Sequence, residues 1–373
     1  MRIFEDFERD DPNPSYPLEK DYNFYDRIKN KEYNKIRNII NSWFSEYPLL
    51  NRKKLLADFK SDFYSAFYEL YMFTFLKNLG FKINVEFLDE TTNSTPDFLC
   101  TELDVSFYVE STVTNGKSDA QIKMENTKES IYEMMRKIDT PNYFLNIEAF
   151  DLFTDKQPKT KFLLQKIQSE ITRISSKNIR INADDFHLDS YPRVHHKDKD
   201  FEIIVSFIQK NPGFYQNVSH PIGMFPVKAE FVDMEDIIPK ALNKKLRKYK
   251  KLSKPLIVAI NATESCYYNE DDLKWFLYGN IERYGQINDK PIFGSEKAKN
   301  LIGVIVTSVF PVNIQKSGLD IYLNPEFDNA KSYLSKFNLE NPEPSNINIF
   351  HLHSVNNILN IPEDWLDEIW SFN

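Results

Sequence analysis

Three carboxylates in the first third of the chain have types and spacing that could bind a cation. Glu69 lies within a helical repeat of apolar residues, Asp97 follows Pro96 at the start of a short strand, and Glu110 lies in the next strand. Clustered carboxylate oxygens attract hard divalent cations. The segment 65–112 is therefore the candidate for a cation-binding active site.

The element that carries Glu69 is predicted to be an amphipathic helix. Glu69 falls on the side of its apolar residues, where a charged group rarely lies unpaired. Gly80 follows at the position of a left-handed C-terminal cap. The apolar residues recur at the spacing of one broad buried face, at Phe59, Phe63, Ala66, Phe67, Leu70, Phe73 and Leu76.

Three short strands are predicted after this helix. The first alternates apolar and polar residues over 81–87, and a polar loop follows over 89–95. The second begins at Asp97, and a polar turn over 102–104 leads into the third. The period of two places Glu110 and Thr112 on one face of the third strand, with Ser111 opposite.

The order of these elements resembles the PD-(D/E)xK nuclease superfamily, in which similar spacing between the strand carboxylates is common. The resemblance implies an α/β protein with a restriction-endonuclease-like αβββαβ core, a mixed sheet and a C-terminal α/β extension. It implies an N-terminal arm and helix over 1–54, a nuclease core over 55–180, and an extension with a basic helix over 181–373. A helix over 118–138 and a strand over 143–150 would complete the core.

The resemblance also implies roles for individual side chains. Asp97 and Glu110 would bind Mg²⁺ or Mn²⁺, with the backbone carbonyl of Ser111 as a further ligand. Glu69 would hold a second ion or orient water, and Thr112 would position that water or a neighbouring ligand. Such ions activate water and stabilise the reacting phosphate. The implied activity is that of a divalent-metal-dependent endonuclease that hydrolyses phosphodiester bonds, with DNA as the expected substrate and defence against foreign DNA as the setting.

Thr112 departs from the family pattern, because the family has Lys two residues after the acid. A threonine hydroxyl brings no positive charge. The missing cation could come from Lys117, just beyond the strand, or from Lys123 or Lys128 on the next helix. The chain is also similar to uncharacterised bacterial proteins that read Tyr-Val-Glu-Ala-Thr at this strand, so the threonine could be typical of a branch.

The strongest charge run of the chain lies at 239–255 and contains eight basic residues and no acid. Its helical period separates an apolar side from a cationic face, and we interpret that face as a site for the phosphates of nucleic acid. The alternative is an ordinary solvated helix face. If this helix folds over the first unit, Lys244 or Lys248 could supply the missing cation. The face consists of Lys240, Lys244, Lys248 and Lys251.

Composition excludes several other classes of protein. The 373 residues include only nine glycines and contain neither a GxGxxG nor a P-loop motif, which disfavours dinucleotide and P-loop sites. Two cysteines cannot form a disulfide framework, and no apolar run is long enough to cross a bilayer, so we expect a cytoplasmic protein. The net charge of −8 argues against a wholly basic DNA-coating protein, but it permits a nuclease whose phosphate contacts form one patch.

A second function stays open at this point. If Thr112 marks a decayed site, the same fold could bind nucleic acid through the basic helix, or scaffold a partner, without cutting anything. Beyond nucleic acid, a homodimer or a partner protein is an open alternative. The plainest alternative is an ordinary α/β domain in which the carboxylates are incidental.

Overall fold

The computed structural model describes residues 1–13, 15, 19–114, 119–154, 156–176, 192–210, 221–226, 237–263, 269–279, 288, 290–337, 349–353, 355–362 and 364–366. Two compact units are present. The first comprises Met1–Ser15, Glu19–Gly116 and Val232–Asn373, and the second comprises Tyr16–Leu18 and Lys117–Phe231. None of the described helices is long and apolar enough to cross a membrane.

Ten α-helices and eleven strands are found among the described residues. The helices are α1 (Asp21–Arg27), α2 (Lys31–Glu46), α3 (Arg52–Ser61), α4 (Phe63–Asn78), α5 (Asp119–Arg136), α6 (Lys161–Ser176), α7 (Ile237–Lys248), α8 (Glu270–Tyr278), α9 (Ala330–Tyr333) and α10 (Val355–Ile358). The strands are β1 (Lys82–Val85), β2 (Phe98–Glu102), β3 (Val105–Thr114), β4 (Tyr143–Leu152), β5 (Arg193–Lys197), β6 (Phe201–Gln209), β7 (Ile222–Met224), β8 (Leu256–Ala262), β9 (Leu301–Thr307), β10 (Leu319–Leu323) and β11 (Ile349–Leu352).

The first unit is built on a seven-stranded mixed sheet in the order β1-β2-β3-β8-β9-β10-β11. Strands β3, β8 and β9 are parallel to one another, whereas the remaining neighbours are antiparallel. The mixed α/β class predicted from the sequence is confirmed. In the β2–β3 hairpin Phe98 pairs with Val109, so Asp97, one residue before the strand, comes level with Glu110.

Helices cover both faces of this sheet. On one face, buried residues of α2, α3 and α4 form a core with alternate strand residues such as Phe107 and Val109. On the other face, α7 and α8 pack on the intervening residues, including Tyr108 and Val258. The strand period of two thus directs successive residues of β3 into two different helical layers. Groups from both layers can reach the end of the hairpin where Asp97 lies.

The helix that carries Glu69 is more deeply enclosed than the sequence pattern predicted. Tyr68, Tyr71 and Met72 are buried as fully as the predicted stripe, because other helices also pack against this helix. The apolar pattern that began at Phe59 is divided into α3 and α4. The break lies at Asp62, whose side chain accepts a 3.4 Å hydrogen bond from the Ser65 amide as an N-cap. Gly80 has φ of +92°, the left-handed conformation predicted for it.

Strand β4 does not complete the first sheet as predicted. It pairs with β6 and β7 in a separate four-stranded sheet of the second unit, and the neighbour of β3 is instead β8, 142 positions or more along the chain. Every residue of β8 is buried, which is typical of a central parallel strand covered on both faces. The predicted ranges 1–54, 55–180 and 181–373 therefore do not coincide with the two compact units.

The second unit lies between β3 and α7 in the sequence and has its own core. Its sheet has the order β5-β6-β4-β7, and buried residues of α5 and α6 pack against it. Asn146 and Ser206 form a buried hydrogen bond of 3.0 Å between β4 and β6. The second unit thus has the elements of an independent α/β domain.

Candidate active site

Glu69 is held in place by a tyrosine from the end of another helix. The Tyr47 hydroxyl, directly after α2, donates a hydrogen bond of 2.5 Å to Glu69 Oε1. Tyr47 is buried, whereas Glu69 is only partly buried. Burial raises the pKa of Tyr47, and the charge of Glu69 raises it further, so Tyr47 acts as a donor throughout the physiological range. The contact fixes one oxygen of Glu69.

Asp97 is fixed by the residue that follows Glu110. The amide and the hydroxyl of Ser111 donate hydrogen bonds of 2.7 and 2.5 Å to Asp97 Oδ2. The family resemblance implies that the Ser111 carbonyl binds a metal ion, and that role stays a prediction. The observed role of Ser111 is to hold Asp97 level with Glu110 through its amide and side chain.

Glu110 is the most deeply buried of the three carboxylates, with 2% of its surface exposed. Lys245 of α7, on the face of the sheet that carries Tyr108, approaches Glu110, with Nζ 2.7 Å from Glu110 Oε1. Lys248 Nζ lies 3.7 Å from the same oxygen but is much more exposed. Glu110 Oε2 is buried and makes no hydrogen bond of normal geometry with a described residue. The Tyr249 hydroxyl lies nearby, and its pKa is raised by burial and then by the charge of Glu110.

The carboxylates repel one another. Burial raises the pKa of Asp97, and the charge of Glu110 raises it further, against the opposing effects of Ser111 and Lys245. Burial also raises the pKa of Glu69, followed by the charge of Asp97. The three groups therefore form a continuous electrostatic cluster, with Asp97 in the middle. One proton or one additional cation would relieve this repulsion.

Two residues that the sequence interpretation overlooked lie beside Glu69. Lys54 of α3 forms an ion pair with Glu86, and its charge lowers the pKa of Glu69 while that of Glu86 raises it. Glu86 adopts the left-handed conformation with φ of +50°, and its amide donates a 2.8 Å hydrogen bond to the Asp97 carbonyl. A side chain other than glycine is uncommon at positive φ. The alternating pattern had suggested only a solvent-facing strand residue at Glu86.

Asp89 is a third overlooked residue, and its hydrogen bonds hold the segment that follows α7. Its carboxylate accepts hydrogen bonds from the Ser253 amide and hydroxyl, from the Tyr108 hydroxyl and from Thr91 and Thr92. Burial by itself would raise the pKa of Asp89, but the Ser253 and Thr92 hydrogen bonds together hold it well below its usual range. Because Ser253 lies five residues after α7, its hydrogen bonds to Asp89 help to hold Lys245 over the sheet.

The other candidates for the missing cation are distributed differently. Lys117 lies outside the described residues. Lys123 and Lys128 lie on α5 in the second unit, where Lys128 Nζ is 5.8 Å from the centre of the Phe150 ring. Thr112 is partly buried on β3, two residues from Glu110. Their predicted roles stay predictions.

The basic helix has the two sides that its sequence pattern predicted. Leu242, Leu246 and Tyr249 are buried against the sheet. The four lysines of the predicted phosphate face are exposed: Lys240, Lys244, Lys248 and Lys251. Lys245 lies between these two sides and turns toward Glu110.

The carboxylates of this site fit a divalent cation as a pair and not as a group of three. Among the described residues, no group of three or more His, Cys, Asp or Glu side chains surrounds a common point at which an ion could be held. The pair Asp97 and Glu110 nevertheless offers hard anionic oxygens, and the buried Glu110 Oε2 lacks a hydrogen-bond partner among those residues. The residues present therefore fit a cation held by this pair, with its remaining ligands supplied by water or substrate.

Comparison with known proteins adds no relative. No family model, no curated protein and no solved structure matches this chain.

Proposed function

We propose that the first unit is a divalent-metal-dependent nuclease that hydrolyses phosphodiester bonds, with DNA as its substrate. The observation that carries this proposal is the run of mutually repelling carboxylates Glu69, Asp97 and Glu110 around the start of β2, with Lys245 from the opposite helical layer paired to Glu110. Excess negative charge beside a buried carboxylate is costly unless it serves a ligand. Defence against foreign DNA is the setting that the family resemblance suggests.

We infer that the family core is present in an interrupted form. In this interpretation α4, β1, β2 and β3 supply the first four elements of the restriction-endonuclease-like αβββαβ core. The last helix and strand are α7 and β8, with the second unit inserted between β3 and α7. The order along the first sheet, in which β8 lies beside β3, supports this assignment.

Asp97 and Glu110 would hold Mg²⁺ or Mn²⁺, with the Ser111 carbonyl, water or substrate supplying the remaining ligands. Such an ion would polarise the phosphate and lower the pKa of the attacking water. Ser111 keeps Asp97 oriented, and Tyr47 keeps one oxygen of Glu69 fixed. With its raised pKa, Glu69 is suited to accept the proton of that water.

Lys245 is the residue we propose in place of the motif lysine. Its ammonium group lies 2.7 Å from Glu110 Oε1, and only 19% of its side chain is exposed. Lys245 therefore brings to the carboxylates the fixed positive charge that Thr112 cannot supply. Lys248 is a poorer candidate because 57% of its side chain is exposed and its distance is 3.7 Å. Lys245 would neutralise charge that develops on the phosphate.

The cationic face of α7 would bind the phosphate backbone next to this site. Lys240, Lys244, Lys248 and Lys251 are exposed, and Lys248 also lies within 4 Å of Glu110. Because α7 contributes Lys240, Lys244 and Lys248 as well as Lys245, and Lys251 follows three residues after its end, a nucleic-acid strand bound along it would be led to the carboxylates. This binding should weaken steeply as the salt concentration rises.

The test is cleavage of plasmid and single-stranded DNA in Mg²⁺, Mn²⁺ or EDTA. We expect metal-dependent cleavage, lost at least about 1,000-fold in Asp97→Asn and Glu110→Gln. Asp104→Asn, on the exposed turn of the β2–β3 hairpin, is the matched control and should keep full activity. Cleavage that persists in EDTA or in Asp97→Asn would overturn the proposal.

A second function is favoured by one specific contact. Lys245 already forms an ion pair with Glu110 Oε1. The charge of Glu110 could therefore be neutralised by this lysine, and the site would then bind no metal. The protein would then bind nucleic acid through the cationic face, or scaffold a partner, without cleavage. DNA affinity that falls in Lys244→Glu with Lys248→Glu, together with no heat of Mg²⁺ or Mn²⁺ binding in calorimetry, would favour this second function.

A further inference from the structure

A cavity of about 280 Å³ lies at the start of α2 and is lined mainly by cations. Its lining includes Phe7, Arg9, Lys29, Lys31, Asn34 and Arg37. None of these is a carboxylate. The Asp26 carboxylate lies 3.0 Å from Arg9 Nη2.

Arg37 is the group that points to a ligand. It is 4% exposed, and both of its hydrogen bonds to described residues run from Nη1, to the carbonyls of Tyr25 at 2.7 Å and Ile28 at 3.2 Å. Its Nε is buried without a partner among the described residues. A guanidinium has five donors in a planar fork that matches phosphate, so this one retains unused capacity.

The cavity also has a net surplus of positive charge. Burial lowers the pKa of Arg37 to about 10, and the neighbouring charge of Arg9 lowers it further, against the opposing charge of Asp26. Lys29 is exposed at the rim and forms no ion pair with a described residue. An anion in this cavity would relieve the repulsion between the guanidinium groups.

The fold adds two favourable features at the same place. The N-terminus of the 16-residue α2 points its positive end toward this cavity, although Asn30 already caps the Glu32 and Tyr33 amides. The half-exposed Phe7 ring adds an aromatic surface, with the Arg9 guanidinium 4.1 Å from its centre. Charge, unused donors and an aromatic ring together match a phosphate carried by an organic group.

We propose that this cavity binds a small phosphate-bearing anion, at a site separate from the carboxylate cluster. The two sites lie on different parts of α2, since Arg37 and Tyr47 are ten positions apart, about 15 Å along the helix axis at about 1.5 Å per residue. Tyr47, at the far end of this helix, belongs to the carboxylate site. The anion site does not depend on the proposed nuclease activity, since its residues are all different.

The experiment is calorimetric titration of the full chain with inorganic phosphate and, separately, with AMP, in EDTA so that no divalent cation bridges phosphate to the carboxylates. We expect binding that weakens at least tenfold in Lys29→Glu and in Arg37→Lys. The second variant keeps the charge and removes the planar fork. Lys297→Glu, an equal charge change on an exposed residue of the first unit, is the control and should bind as the native chain does.

The two ligands distinguish the source of the phosphate. AMP that binds at least fivefold more tightly than inorganic phosphate indicates a nucleotide, whereas equal affinities indicate that the phosphate group alone is recognised. Absence of binding for both at millimolar concentration would overturn the proposal. Equal binding by the native chain and Lys29→Glu, or binding of an oligonucleotide without either small ligand, would overturn it as well. Lys29 is exposed, so its replacement tests the site even if Arg37→Lys disturbs folding.

Discussion

Asp89 and Asp97 lie eight positions apart and face opposite electrostatic conditions. Asp89 is completely buried and accepts hydrogen bonds from Ser253, Tyr108, Thr91 and Thr92. Burial by itself would raise its pKa, but the Ser253 and Thr92 hydrogen bonds hold that pKa well below its usual range. Asp97 is less buried, its carboxylate accepts hydrogen bonds only from Ser111 among the described residues, and burial followed by the charge of Glu110 raises its pKa. Burial alone therefore does not determine the state of a carboxylate.

The difference separates a structural carboxylate from one that is available for chemistry. The donors around Asp89 satisfy it completely, so its charge stabilises the fold and has no use for a further ligand. Around Asp97, burial and repulsion from Glu110 are only partly offset by Ser111 and Lys245, so its charge costs stability until a cation or proton arrives. Mutations at the two positions should therefore have opposite effects on stability.

The largest effect should come from Asp89→Ala. Its carboxylate ties Ser253 to the loop before β2, and its removal leaves several buried donors without an acceptor. Since each such loss costs about 1–3 kcal/mol, we expect the free energy of unfolding to fall by about 4 kcal/mol. Denaturant unfolding at pH 7 measures this.

The control for Asp89→Ala is Asp104→Ala, on an exposed turn of the same hairpin region. It should change the free energy of unfolding by no more than about 0.5 kcal/mol. A loss below 1 kcal/mol in Asp89→Ala would mean that the segment after α7 is held mainly by its apolar contacts.

A somewhat smaller loss should follow Lys245→Met, which leaves the charge of buried Glu110 without its close partner. Removal of one member of a buried ion pair costs about 3 kcal/mol, and water can reach the partly exposed Lys245 to offset some of that cost. Lys248→Met, the matched control on the exposed face, should cost no more than about 0.5 kcal/mol. Equal losses in the two variants, measured by thermal unfolding in EDTA, would contradict the assigned difference between them.

A divalent cation should stabilise the protein by binding at Asp97, where it would relieve the repulsion from Glu110. If Mg²⁺ binds only the folded chain, then Mg²⁺ at 100 times its dissociation constant adds about 2.7 kcal/mol to the free energy of unfolding. The gain should disappear in Asp97→Asn. An unchanged gain in that variant would place the cation elsewhere on the protein.

Local patterns were sufficient to predict the parts of this site that lie close together in sequence. The apolar period identified the helix of Glu69, and the hairpin of β2 and β3 follows from alternation and a polar turn. The same helical period separated the buried and exposed sides of α7. Each of these patterns reflects neighbours within one element, or across one turn.

Contacts between distant segments could not be predicted in the same way. No local pattern marked Tyr47 as a partner of Glu69, and the polar run that contains Asp89 was predicted as a loop. Lys245 is 135 positions from Glu110, so their contact depends on which strand lies beside β3. A useful signal was present, since the unbroken apolar run at 256–260 in β8 indicates a strand covered on both faces, whereas Asn146, Glu148 and Asp151 interrupt β4.

The smallest effect should be a modest gain of stability in Asp97→Asn, and its pH dependence tests the comparison most directly. Because the folded-state pKa of Asp97 is raised above its unfolded value of about 3.9, its charge destabilises the fold at pH 7 and not below pH 4. In EDTA, the variant should therefore be more stable than the native chain by about 1 kcal/mol at pH 7, and the difference should vanish as the pH falls to about 4. The lowered pKa of Asp89 has the opposite consequence, since its stabilisation is present at pH 7 and is lost as the pH falls below about 4. A variant Asp97→Asn that is less stable than the native chain at pH 7 would mean that the Ser111 hydrogen bonds outweigh the repulsion from Glu110, and Asp97 would then belong with Asp89 as a structural group.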